Sequence, residues 1–251
     1  MKLPSLLLFI MLISSCKDKT AEEHCYMSVV VVRDITDYHA LQPDADATLS
    51  LFNLSEHKDN AVSYRYTEIA DKLLVPTVDL YLPDAATGET KNRTNKPMYR
   101  ERTILQFMDT VRKTLAVLTA NKDSVTTLNH SECFKIISTE LILLTQKQSE
   151  HKILWVFSNL KENSSILSVF AGNAKQQIKN HPEAIEKLLE GTGLIPQNLK
   201  GITVVFAYLP TSREDDQEFN VLVQVYKQLL EKHSAKVVIQ ATNSFNQSWL
   251  K

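Results

Sequence analysis

The apolar positions of this chain fall into two kinds of strand-like run. Residues 27–33 (MSVVVVR), 152–157 (KILWVF) and 201–208 (GITVVFAY) carry β-branched and aromatic side chains at consecutive positions. A run of that kind buries a strand on both faces, as inside a parallel sheet. Residues 235–240 (AKVVIQ) repeat the pattern in shorter form. Residues 61–69 (AVSYRYTEI) and 77–82 (TVDLYL) alternate instead, through Val62, Tyr64 and Tyr66 and then through Val78, Leu80 and Leu82. Two alternating runs with a short connection predict an antiparallel hairpin with one drier face.

Between these runs the period lengthens to that of helices. Residues 100–120 repeat apolar side chains at Ile104, Met108, Val111, Leu115 and Leu118, a stripe along one helix face. Residues 131–146 do so through Phe134, Ile137, Leu141 and Leu144, and residues 215–233 through Phe219, Leu222, Tyr226, Leu229 and Leu230. Residues 43–57 predict a further helix, with acidic residues at its start and Leu49 and Phe52 on its apolar side. Residues 180–190 predict another, ended by Gly191 and Gly193. Residues 83–97 (PDAATGETKNRTNKP) are nearly devoid of apolar side chains and read as a solvated loop. Strands alternating with helices imply an α/β fold. The expectation is a doubly wound, mostly parallel sheet with an antiparallel edge hairpin and helices on both faces. No repeat or linker divides residues 25–251, which read as a single domain.

Composition narrows the class of protein. The chain has 251 residues, 43% hydrophobic and 23% charged, with a formal net charge of −1. That excludes a disordered chain and offers no basic excess for nucleic acid. The first residues, MKLPSLLLFIMLISSC, place a basic Lys2 before an apolar stretch too short to span a bilayer. Ser14 and Ser15 then lead into Cys16. This segment resembles a bacterial lipoprotein signal, in which the Cys becomes the lipidated mature N-terminus. The resemblance implies that residues 1–15 are removed, that Cys16 carries the lipid, and that residues 16–24 form a polar tether. It also implies an extracytoplasmic domain held to a membrane by acyl chains, each buried methylene contributing about 0.8 kcal/mol. Cys25 and Cys133 are then left either to pair or to remain buried thiols. The seven histidines show no pair at metal-ligand spacing.

In a doubly wound sheet, ligands bind where strand order reverses, beyond the carboxyl ends of the strands. The exits to inspect are Arg33-Asp34-Ile35-Thr36-Asp37-Tyr38 and Phe157-Ser158-Asn159-Leu160. Here the chain resembles the von Willebrand factor type A fold. That family opens with a strand ending in Asp-x-Ser/Thr-x-Ser, continues through an antiparallel edge hairpin and a loop Thr before a later helix, and has a strand ending in a Thr/Ser-Asp pair. Asp34 and Thr36 match the first two positions, Ser131 stands where the loop Thr is expected, and Ser158-Asn159 stands at the pair. The resemblance implies a binding face built from Asp34, Thr36, Asp37, Ser131 and Asn159, which in the family holds a divalent cation such as Mg²⁺. The sequence departs from that pattern at Tyr38, too bulky for a serine's place, and at Asn159, which brings no charge. A hard divalent cation needs about six oxygen ligands and carboxylates to offset its charge, so no cofactor is expected. If any residues held Mg²⁺, they would include Asp34 and Thr36. The bland alternative for Asp34 and Thr36 is capping of the following helix.

Enzyme signatures are missing. Neither GxxxxGK[ST] nor GxGxxG occurs, nor does G-x-S-x-G, and the position two residues after Asp34 is Thr36 rather than a second acid. The expected function is therefore non-catalytic: a membrane-anchored envelope lipoprotein that binds or assembles with a protein partner. The alternative is a structural accessory of an envelope or secretion/conjugation complex that touches its neighbours through helix faces and the edge strand. A divergent hydrolase is the third reading.

Overall fold

The computed structural model describes residues 25–37, 40–70, 77–85, 97–120 and 130–250. The expected signal (1–15), the tether with Cys16 (16–24), and Tyr38 lie outside the described residues. The strand-like runs assemble into one six-stranded sheet. Its strands are β1 (Cys25–Asp34), β2 (Val62–Ile69), β3 (Val78–Leu82), β4 (Ser149–Phe157), β5 (Ile202–Ala207) and β6 (Lys236–Gln240), in the spatial order β3-β2-β1-β4-β5-β6. β1 is parallel to both β2 and β4, β4 to β5, and β5 to β6, whereas β3 is antiparallel to β2 at the edge. The fold is α/β, with a mostly parallel sheet, an antiparallel edge pair and helices packed around it, as the hydrophobic pattern predicts.

Two apolar cores sandwich the sheet. On one face Val29, Val31, Tyr64, Tyr66, Trp155 and Phe157 meet α1 (Ala45–Leu51) and α2 (Pro97–Ala120). On the other, Val30, Val32, Leu154, Val156, Val204 and Phe206 meet α3 (Cys133–Gln146), α4 (Ala174–Asn180), α5 (Pro182–Gly191) and α6 (Arg213–Lys232). Consecutive strand residues thus feed opposite cores, which is why the central strands read as unbroken apolar runs. None of the described helices is long and apolar enough to cross a membrane.

Local chemistry sets the ends of several elements. Asp44 accepts the Ala47 N–H at 2.7 Å and caps α1, so neither Asp34 nor Thr36 is the helix cap that the sequence allowed. α1 is also shorter than residues 43–57, because Asn53 turns the chain at φ 41°. α6 starts from Ser212, whose hydroxyl accepts the Asp215 N–H, with Glu214, Asp215 and Asp216 in its first turn, where the helix dipole favours acids. α4 was not expected from the pattern: Ile178 is its one buried residue. The final 3₁₀ turn (Gln247–Leu250) seats Trp249 edge-on against Trp155 at 5.1 Å, closing the first core over β4 and β5. No disulfide joins Cys25 and Cys133; both are buried, at the start of β1 and the start of α3.

Candidate functional site

The strand register brings the expected residues together. β1 departs from its neighbours in opposite directions of the strand order, towards β2 on one side and β4 on the other, which makes the β1/β4 exit the switch point. Arg33 is paired with Phe157, so the next residues, Asp34 and Ser158, leave the two strands side by side. The alternation of side chains sends Asp34 towards α3 and Arg33 towards α2. Arg33 donates to the Leu118 carbonyl at 2.6 Å, near the end of α2, and lies 3.7 Å from Glu68. Glu68 in turn accepts the Tyr66 hydroxyl at 2.8 Å.

Asp34 is 1% exposed and is surrounded by donors. Its Oδ1 accepts the Thr36 N–H at 2.9 Å and the Thr36 hydroxyl at 2.6 Å, and its Oδ2 accepts the Ser158 hydroxyl at 2.6 Å. Thr36 Oγ1 also lies 3.2 Å from Ser131 Oγ, which is 3.2 Å from the Cys133 thiol. Four of the residues quoted from the sequence, Asp34, Thr36, Ser131 and Ser158, therefore form one cluster at the carboxyl end of the sheet. Cys133, which sequence reasoning did not assign to the site, completes its floor. Its position two residues after Ser131 was the available signal.

Asp37 and Asn159 form an adjoining pair on the half-buried lip. Asn159 Nδ2 donates to Asp37 Oδ2 at 2.8 Å, and its Oδ1 accepts the Lys161 N–H at 2.8 Å. The turn that does this passes through Leu160, a buried leucine at φ 61°. A bulky residue in that region is strained by roughly 1–2 kcal/mol. Its amide is held by Ser158 Oγ at 2.9 Å. The turn directs the Asn159 side chain to Asp37 and to Lys161 N–H, so its amide oxygen serves the backbone of its own loop. Further along the lip, Tyr208 donates to Asp215 Oδ2 at 2.7 Å and Lys161 Nζ donates to Asp215 Oδ1 at 2.9 Å. The acidic start of α6 thus sends Asp215 inward.

Burial governs the electrostatics. Desolvation outweighs the Ser158 and Thr36 hydrogen bonds and lifts the Asp34 carboxyl above its usual range. Burial, with Asp34 and Glu162 adding to it, holds the Cys133 thiol far above its own, which leaves it a poor nucleophile. Burial would also raise Asp215, but the Tyr208 hydroxyl, the Thr211 N–H and Lys161 outweigh it and pull the group down to about 2. The oxygens available to a hard cation are the Asp34 carboxylate and the hydroxyls of Thr36, Ser131 and Ser158. That set carries one formal charge, and the Thr36 and Ser158 hydroxyl protons are directed at the carboxylate itself. Among the described residues, no group of three or more His, Cys, Asp or Glu is arranged to hold a metal ion. This donor set suits a self-contained hydrogen-bond cluster better than octahedral Mg²⁺.

No protein-family model, no curated protein and no solved structure matches this chain.

Proposed function

We propose that this protein is a lipid-anchored envelope protein whose domain, similar in plan to von Willebrand factor type A domains, binds a protein partner at the carboxyl end of its sheet. The observation that carries this reading is the cluster of Asp34, Thr36, Ser131 and Ser158 at the switch point, with the Asp37–Asn159 pair beside it on the half-buried lip. Leu209, 52% exposed just beyond β5, and Phe170, 59% exposed in the loop after β4, are large apolar side chains in solvent, of the kind protein interfaces cover. The cluster works without a cation, because its one carboxylate is already saturated with donors. It works without catalysis as well. Ser158 is fully buried and faces a carboxylate lifted by burial, and among the described residues no histidine is hydrogen-bonded to these hydroxyls to act as a base.

The test places a photo-crosslinker at Thr36 in the membrane-bound, full-length protein, and a second at His57, at the opposite end of the sheet. One discrete envelope protein captured from Thr36, and lost in Asn159→Arg without a change in melting temperature, supports the reading. Capture from His57 alone favours the accessory that uses other faces, and sinks it. Melting in Mg²⁺, Mn²⁺ or Ca²⁺ should match melting in EDTA. A rise of several degrees, abolished in Asp34→Asn, would overturn the cation-free part, since a ligand at 100 times its Kd adds about 2.7 kcal/mol. Cys16→Ala should move the protein from the membrane to the aqueous fraction; retention on the membrane refutes the anchor.

A further inference from the structure

Behind the cluster, the first turn of α3 is capped from a distance. Its N-cap residue, Glu132, makes no side-chain cap bond; the Glu132 carboxylate is engaged with His130 at 3.2 Å and Lys135 at 3.0 Å. The exposed N–H groups of a first turn still need acceptors. Glu162 supplies one: its Oε2 accepts the Phe134 N–H at 2.7 Å across 28 residues of chain. Glu162 is 1% exposed, and its other oxygen, Oε1, is buried with no hydrogen-bond partner. The backbone on either side is tied to the site. Ser131 and Asn163 exchange two N–H···O bonds of 3.0 Å each, and the Glu162 carbonyl accepts the Val169 N–H at 3.0 Å.

The groups that act most strongly on Glu162 among the described residues come from several elements, and none of them is a cation. They are Ser164 in its own loop, Glu132 and Cys133 at the start of α3, Asp34 at the end of β1, and Tyr226 on α6. The neighbouring Lys161 directs its ammonium to Asp215 and Glu218, at 2.9 Å from each. A charged carboxylate here is buried, half-satisfied and close to a second buried acid. Each of these conditions disfavours the anion.

We propose that Glu162 is the positioning residue of the candidate site: as a neutral acid it seats the α3 N-terminus, and with it Ser131, against Asp34, and its ionisation loosens that corner. Partner binding at the site is thereby firm in mildly acidic surroundings and weakens as the pH rises to neutrality. Burial is the main cause that sets the crossover, pushing the Glu162 carboxyl up to about 7 against the opposing bonds from Ser164 and the Phe134 N–H. When the corner opens, the carboxyl meets water and returns to the ordinary range, so opening releases a proton and becomes easier with pH. The consequence for binding rests on the function proposed above; the coupling itself is a property of the protein alone.

The experiment is amide hydrogen exchange of the full-length protein, resolved to the Phe134 N–H, at pH 5.5 and pH 8 with intrinsic rates divided out. The opening constant should rise roughly 25-fold over that range, given tenfold per pH unit until the folded midpoint is passed. In Glu162→Gln it should stay level. A Phe134 opening constant that stays level in the unsubstituted protein, or that rises equally in Glu162→Gln, overturns the proposal. Should Glu162→Gln fail to fold, ¹³C titration of the Glu162 carboxyl decides: a midpoint near 7 supports the clasp, and one near the ordinary value of about 4.3 overturns it. A pH-dependent Phe134 with no partner captured from Thr36 leaves the clasp standing and fails only the binding reading. A captured partner with a pH-independent Phe134 does the reverse.

Discussion

Replacing Asp34 separates its charge from its hydrogen bonds. In Asp34→Ala the Ser158 hydroxyl, fully buried, loses the acceptor it holds at 2.6 Å. The Thr36 N–H and hydroxyl lose theirs at 2.9 and 2.6 Å. Each buried donor left without a partner costs about 1–3 kcal/mol. Thr36, half-buried, recovers part of its loss from water. Removal of a buried carboxyl that is itself costly to ionise returns some stability as well. The balance is a loss of about 2–4 kcal/mol, or roughly 5–12 °C in melting temperature for a domain of this size. Asp34→Asn keeps an acceptor for the Thr36 N–H, and its NH₂ donates to Ser158 Oγ once that hydroxyl turns round. Its loss should be about 1 kcal/mol. Urea unfolding at fixed pH, followed by circular dichroism with both variants beside the parent, measures the difference. If Asn proves as costly as Ala, negative charge rather than hydrogen bonding holds this corner, and the cation-free reading of the cluster is wrong. If Ala costs nothing, the cluster is not structural at all.

Two further perturbations test the packing around the site. Glu68→Leu strands the buried Arg33 guanidinium and should cost about 3–5 kcal/mol, whereas Arg33→Met combined with Glu68→Leu should recover most of it; a urea midpoint for the double variant as low as for the single one refutes the pair as the source of the loss. Trp249→Ala removes a ring set edge-on to Trp155 at 5.1 Å and to Phe245 at 5.4 Å, and should lower stability by about 3–5 kcal/mol. An unchanged thermal midpoint would mean that the C-terminal turn is not part of the core.

The sheet was legible in the sequence because each central strand has to satisfy two cores at once, and only an unbroken apolar run does so. Val29 and Val31 serve one face while Val30 and Val32 serve the other. The edge strand β3 keeps Asp79 and Tyr81 in solvent, and its alternation shows it. Elements that bury a single side chain leave no such trace. α4 offers only Ile178, and the C-terminal turn depends on Trp249 finding Trp155 across the sheet.

The same distinction runs through the site. Asp34, Thr36 and Ser158 could be placed from sequence because strand order and parallel register fix what leaves the end of a strand. Asn159 could not be oriented, since its direction is set by the left-handed backbone at Leu160, and a leucine carries no signal for that conformation. Glu162 was beyond reach for a different reason. Within FSNLKENSS it is one polar residue among several with no periodic pattern to mark it, and it becomes a buried cap only because two bonds between Ser131 and Asn163 close a long excursion of chain onto α3. A carboxyl placed by such closure has no local compensation built in. Its neighbours were selected by the sheet and by α3, and they supply an acid, a thiol and a phenol rather than a cation. Its stability contribution should therefore fall as the pH rises from the ordinary carboxyl range to about 7 and stay low above it, opposite in sign to the contribution of Asp215, which is lost only as the pH drops towards 2.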